Sequence, residues 1–295
     1  MRGMREILVS FAVAFATLGT YAYLKKEVRK AERRQNDTEP TQAAVSKEDA
    51  ALSLNWGLQA VQAPAAWKKQ TGSKKIVVAI IDTGCDTQHP ALAENIWRNP
   101  GETGLDEYGQ PKASNGIDDD GNGFVDDFQG WNFADNSPVV MDEHGHGTHI
   151  AGIIGARLGN GFPVHGVSPD VSLMILKYYD PNSAGGSNLE NTIRAIRYAV
   201  RMGANIINYS GGGILKSKEE EETIRWAAEQ GVLVVAAAGN EGMNSDFFPF
   251  YPADYSLPNI LSVAATDRDN RLMDLSNFGL HSVDIAAPGK NIYST

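Results

Sequence analysis

The stretch "IVVAIIDTG", Ile76 to Gly84, decides the fold. Ile76 to Ile81 are apolar without a break, mostly β-branched, and the run stops on Asp82. A strand with one wet face alternates polar and apolar residues. An unbroken run marks a strand covered on both faces, as in a parallel sheet. The same pattern recurs in "VSLMILKYY" (Val171–Tyr179), "ANIINYS" (Ala204–Ser210), "GVLVVAAAG" (Gly231–Gly239) and "NILSVAA" (Asn259–Ala265). Between these runs lie "NLENTIRAIRYAVRMG" (Asn188–Gly203) and "KEEEETIRWAAEQG" (Lys218–Gly231). The first sets Ile193, Ile196 and Val200 on one helical stripe, and both end on a glycine, a common helix stop. Strand–helix alternation predicts an α/β fold: a three-layer, doubly wound, mostly parallel sheet with right-handed crossovers. In such sheets ligands bind beyond the carboxyl ends of the strands, so reactive residues are sought just after each run.

The 295 residues are 42% hydrophobic, enough for a sizeable core, and carry a formal net charge of −10. Eight Lys/Arg against three Glu give residues 1–34 a charge of +5, so the remainder carries −15. An acidic body repels phosphate and excludes nucleic acid as the main partner, while surplus carboxylate suits calcium. The single cysteine, Cys85, rules out an internal disulfide and a multi-cysteine zinc site. Beside Asp82 it reads as a small buried hydrophobe rather than a redox handle. Residues 7–24, "ILVSFAVAFATLGTYAYL", are uncharged and mostly apolar, with Arg2 and Arg5 before them and Lys25 and Lys26 after. They predict a signal peptide or a membrane anchor within residues 1–30, and hence an extracytoplasmic location. Residues 31–55 read as a polar linker. The compact domain is expected over 56–295.

Three stretches carry chemistry. Asp82-Thr83-Gly84 places a carboxylate at a strand end, where it can orient a histidine. The same tripeptide marks aspartic proteases, but those need a second copy, which this chain lacks. "DEHGHGTHIAGIIGA" (Asp142–Ala156) puts His146 at the entrance of a small-residue helix, suited to proton transfer. His144, His146 and His149 cluster there, yet Gly147 stands where a zinc protease helix would carry glutamate. "VVAAAGNEG" (Val234–Gly242) opens a strand end into Asn240, whose amide can donate to a developing oxyanion.

Taken together, Asp82-Thr83-Gly84, "HGTHIAG" (His146–Gly152) and "AAAGNEG" (Ala236–Gly242) resemble the subtilisin-like serine proteases, in that family's order. "WGLQAVQAPAAW" (Trp56–Trp67), "INYSGGG" (Ile207–Gly213), "LSNFG" (Leu275–Gly279) and "IAAPG" (Ile285–Gly289) fit the same family. The resemblance implies a serine endopeptidase. Asp82 would orient His146, His146 would act as base and then acid, and Asn240 would complete the oxyanion hole. It also implies an extended polypeptide substrate, bound by main-chain pairing along Ser210, Gly211 and Gly212, with Gly185 and Gly186 facing it and Gly239 beside it. Tyr251-Pro252 corresponds to a family position where a cis peptide occurs. The family's nucleophile lies in a "GTSMA" segment opening a helix. Ser294 and Thr295 match the Ser-Thr that precedes that segment, and Ser210 and Ser276 match other positions. The nucleophile and its helix are therefore expected to be absent from this chain. The alternatives are a catalytically inactive peptide-binding relative and a non-functional gene fragment.

Between Asp82 and His146 lies "NGIDDDGNGFVDD" (Asn115–Asp127). Asp118, Asp120, Asn122 and Gly123 follow the spacing of a calcium loop, although Gln129 stands where its closing glutamate belongs. Asp126 or Asp127 would substitute. The expectation is a structural calcium ion held by Asp118, Asp120, Asn122, Asp126 and Asp127.

Overall fold

The computed structural model describes residues 55–159, 161–179 and 185–295. The expected signal or anchor and almost all of the linker lie outside the described residues. Asn55, which the sequence places in the linker, is buried and donates from Nδ2 to the Tyr293 carbonyl. Two short helices follow, α1 (Trp56–Ala60) and α2 (Ala63–Trp67). Then come β1 (Gly72–Asp82), β2 (Gly130–Asn132), α3 (His146–Gly155), β3 (Asp170–Lys177), α4 (Gly185–Arg201), β4 (Ile206–Tyr209), α5 (Lys218–Glu229), β5 (Leu233–Ala237), β6 (Ile260–Thr266) and β7 (Ile285–Pro288).

The seven strands form one sheet in the order β2-β3-β1-β4-β5-β6-β7, with every pairing parallel. Its two faces explain the unbroken apolar runs. Val78 and Ile80 of β1, with Leu173 and Ile175 of β3, pack on the α3 side against Ile150 and Ile154. Ala79 and Ile81, with Met174 and Leu176, pack on the opposite side against Ile196 of α4 and Ile224 of α5. Successive side chains of a strand point to opposite faces, so both sets must be apolar. The three layers expected from the sequence are present. β2 was not legible, because a three-residue strand has no periodicity to read.

Helix α5 starts as its sequence dictates. Ser217 is the N-cap, its hydroxyl accepts from the Glu220 amide, and Glu219, Glu220 and Glu221 fill the first turn. β1 has β3 on one side and β4 on the other, so the chain winds both ways from it. Its carboxyl end is the switch point at which sheets of this class bind ligands, and Asp82 stands there.

Candidate active site

Asp82, 4% exposed, closes β1. Its Oδ1 accepts from the Thr83 amide at 2.8 Å and lies 2.7 Å from His146 Nδ1. His146 is the first residue of α3, and Gly145 before it takes the left-handed conformation, φ 91°. The approach needs Gly147 as well. A Cβ there would stand 2.1 Å from the Gly84 carbonyl and 3.2 Å from the Asp82 Cβ.

Burial alone would lower the pKa of His146. The hydrogen bond to Asp82, its charge and the charge of Asp142 outweigh that and hold it above the ordinary histidine value. One turn on, His149 behaves oppositely. It is 6% exposed, and burial pushes its pKa down to about 4, so it is neutral at ordinary pH. The Cys85 thiol is fully buried and burial pushes its pKa strongly up, which leaves it a packing residue.

Asn240 is exposed and follows β5. β4 alone separates β5 from β1, and all three strands run parallel, so Asn240 and Asp82 both stand at carboxyl ends on the same side of the sheet. Buried Asn277, not singled out from the sequence except within "LSNFG", braces this turn. Its Oδ1 accepts from the Glu241 and Met243 amides, each at 3.0 Å, and its Nδ2 donates to the Ala238 carbonyl at 2.9 Å. Gly239 is confined by the same residue, since a Cβ would lie 2.3 Å from Asn277 Nδ2.

Ser210 ends the run after β4, and its Oγ accepts from Asn208 Nδ2 at 2.9 Å. Gly211 and Gly212 follow, and Gly213 pairs with Tyr251 through two backbone hydrogen bonds of 2.9 and 2.8 Å. Tyr251–Pro252 is cis. Gly185 and Gly186 lie in the first turn of α4. Ser276 is buried, with Oγ accepting from the Ala265 amide and donating to the Asn277 carbonyl. Ser294 Oγ donates to the His149 carbonyl at 2.8 Å.

The family profile described as "Subtilase family" matches residues 73–295. The chain belongs to the subtilase family. It is 35% identical over 241 residues to the Major intracellular serine protease of Bacillus subtilis (strain 168), covering 81% of this chain and 66% of that protein. It is 33% identical over 243 residues to Thermitase of Thermoactinomyces vulgaris, covering 82% of this chain and 73% of that one. The solved structure titled "Crystal Structure of a Lanthipeptide Protease" superposes with a TM-score of 0.61 at 24% identity, covering 85% of this chain and 66% of the other, a likeness of fold. By family this subtilase is a serine-type hydrolase, and it spans about two thirds of the length of the first of these relatives.

The acidic insertion of this subtilase is tied together by its own carboxylates. Asp118 accepts from the amides of Gly121, Asn122 and Gly123, and Asp126 accepts from that of Gly116, so both tie the loop to itself. Asn122 turns its amide nitrogen to Asp127 Oδ2 at 2.9 Å and its oxygen to the Phe124 amide. Asp120, whose Oδ1 also accepts from the Asn122 amide at 3.0 Å, and Asp127 converge with Glu102, with carboxylate oxygens within 4.8 Å of one another. Glu102 is fully buried. Its Oε1 accepts from the Asp119 amide at 2.9 Å, while Oε2 has no hydrogen-bond partner. Burial, with smaller contributions from Asp127, Asp119 and Asp120, pushes its pKa up to about 7. A buried carboxylate with an orphan oxygen beside two more carboxylates fits a hard, oxygen-seeking cation. Sequence spacing missed Glu102 because it precedes the loop and only the fold brings it there.

Proposed function

We propose that this subtilase hydrolyses peptide bonds with Asp82 as the orienting carboxylate, His146 as the general base and Asn240 as an oxyanion donor. The 2.7 Å contact of Asp82 with His146, in a chain of this family, carries the reading. Asp82 holds the Nδ1–H tautomer of His146, which leaves Nε2 free to take a proton from a nucleophile and return it to the leaving amine. Asn240 donates to the tetrahedral oxyanion. An extended polypeptide pairs with the backbone at Ser210, Gly211 and Gly212, a segment steadied by the Gly213–Tyr251 bridge. None of Ser210, Ser276 and Ser294 is assigned as nucleophile, since each sits at a family position other than that of the "GTSMA" serine.

A folded fusion that appends the "GTSMA"-bearing segment of a relative after Thr295 tests this. It should take up a fluorophosphonate probe and hydrolyse casein, and His146→Ala in it should lower kcat by on the order of 10⁴-fold or more. The 295-residue chain should stay unlabelled. Labelling that survives both Ser210→Ala and Ser294→Ala would overturn the serine assignment. A fusion that binds peptide without cleaving it would make the chain a peptide-binding relative.

The convergence of Glu102, Asp120 and Asp127 supports a structural calcium ion, with these three as its carboxylate ligands. The apolar segment 7–24 supports export or membrane anchoring, to be tested by fractionating cells that express the full chain. Among the described residues no helix is long and apolar enough to cross a membrane.

A further inference from the structure

We infer that Asp142 and Thr83 form a positioning bridge that seats the His146-bearing turn on Asp82, an assignment that rests on reading His146 as the proton-transfer group. The Asp142 carboxylate is saturated. Its Oδ1 accepts from the His144 amide at 3.0 Å, the Gly145 amide at 2.7 Å and the Thr83 hydroxyl at 2.9 Å. Its Oδ2 accepts from the Thr148 amide at 2.8 Å and the Thr148 hydroxyl at 2.7 Å. A carboxylate offers about four lone-pair positions, so no further partner is needed or admitted.

These bonds replace a missing cap. α3 begins behind Gly145, which has no side chain to satisfy the free amides of the first turn. Thr83 Oγ1 accepts from the second-position amide, Gly147, at 3.0 Å, and Asp142 accepts from the third, Thr148. Thr83 also donates its own amide to Asp82 Oδ1. Asp82, Thr83, Asp142 and the first turn of α3 therefore form one closed hydrogen-bonded unit, with His146 at its centre. An ordinary cap stabilises its own helix. This one joins the helix to the residue next to its carboxylate partner, so it fixes the His146–Asp82 distance. Proton transfer tolerates little slack in that distance.

The readout is nuclear magnetic resonance of His146 in the 295-residue chain, following its low-field Nδ1–H signal and its titration midpoint. Asp82 and Asp142 are the charged groups facing the ring. His149 is neutral, and the His144 ring lies 6.3 Å away between centroids. Thr83→Val keeps every charge but removes the hydroxyl. It should lose the Nδ1–H signal and lower the midpoint, and Thr83→Ser should restore both. Asp142→Asn should likewise lose the Nδ1–H signal, and its midpoint falls in any case because the Asp142 charge itself raises the His146 pKa. If it does not fold, the Thr83 pair decides alone. A capping role alone would lower the melting temperature of Thr83→Val while leaving both His146 readouts at their wild-type values, and that result overturns the inference. Asp82→Asn is the control. If it leaves the His146 readouts unchanged, the reading of the pair itself has failed, a separate outcome.

Discussion

His146 and Asp82 stand 64 residues apart in sequence and 2.7 Å apart in space, and glycine backbone makes the approach possible. The helix carrying one ring nitrogen is laid directly over the turn that ends β1. The two side chains are unequally exposed, 27% for His146 and 5% for Asp82, so the carboxylate lies inside and the imidazole reaches solvent. Such a pair can hold a proton on one nitrogen while the other meets solvent or substrate.

This pair gives the protein a pH signature. The folded-state pKa of His146 lies above its unfolded value, so its contribution to stability is fully present below the unfolded pKa of 6.5 and disappears as pH rises through the folded pKa. Asp82→Asn should therefore cost more stability at pH 5 than at pH 9 in urea unfolding. Equal losses at both pH values would sink this account. For catalysis the sign reverses, because only the neutral imidazole accepts a proton. Activity of the fusion should fall as pH drops through the raised His146 pKa, and the midpoint of that fall should move down in Asp142→Asn.

Gly147 is the steric gate of the contact. In Gly147→Ala the new Cβ meets the Gly84 carbonyl, which is backbone and cannot swing aside. The expected loss is about 1–3 kcal/mol from overpacking, with α3 displaced from β1. The His146 Nδ1–H signal should weaken in parallel. A variant with wild-type melting and an unchanged signal would show that the turn can yield.

Which of these features the sequence reveals depends on distance along the chain. The β1 run was legible because both faces of the strand are apolar, and His146 at a helix entrance was legible from its glycine neighbours. Asp142 stands at the head of the same motif, but its task depends on Thr83, 59 residues earlier, and no local pattern reports that. The acidic loop behaved similarly. Its spacing suggested Asp118, Asp120, Asn122, Asp126 and Asp127 as ligands, and Glu102, which precedes the loop, comes beside Asp120 and Asp127 only through the fold.

Glu102 makes the cation testable. Its folded pKa of about 7 lies above the reference 4.5, so in EDTA the stability it contributes is present below 4.5 and is lost as pH rises towards 7 and beyond. A bound cation compensates the charged carboxylate. The gap in melting temperature between calcium and EDTA should therefore widen from pH 5 to pH 8, and Glu102→Gln should flatten it. Identical melting in calcium and EDTA at pH 8 would remove the metal.

Tyr198 separates the metal from the hydrogen bonds around it. Its hydroxyl donates to Asp127 Oδ2 at 2.5 Å, and its ring packs edge-on against Phe124 and Phe133 at 4.9 and 5.9 Å between centroids. Tyr198→Phe keeps the ring and its packing and deletes only the donor to a buried carboxylate. Hydrogen bonds to charged groups contribute about 1.5–3 kcal/mol, so that is the expected loss in EDTA. With calcium present, the cation takes over part of the Asp127 charge, and the loss should shrink. Chemical unfolding of both proteins with and without calcium measures the difference. An equal loss under both conditions would mean that Asp127 does not ligate the ion, and the calcium site would have to be redrawn without it.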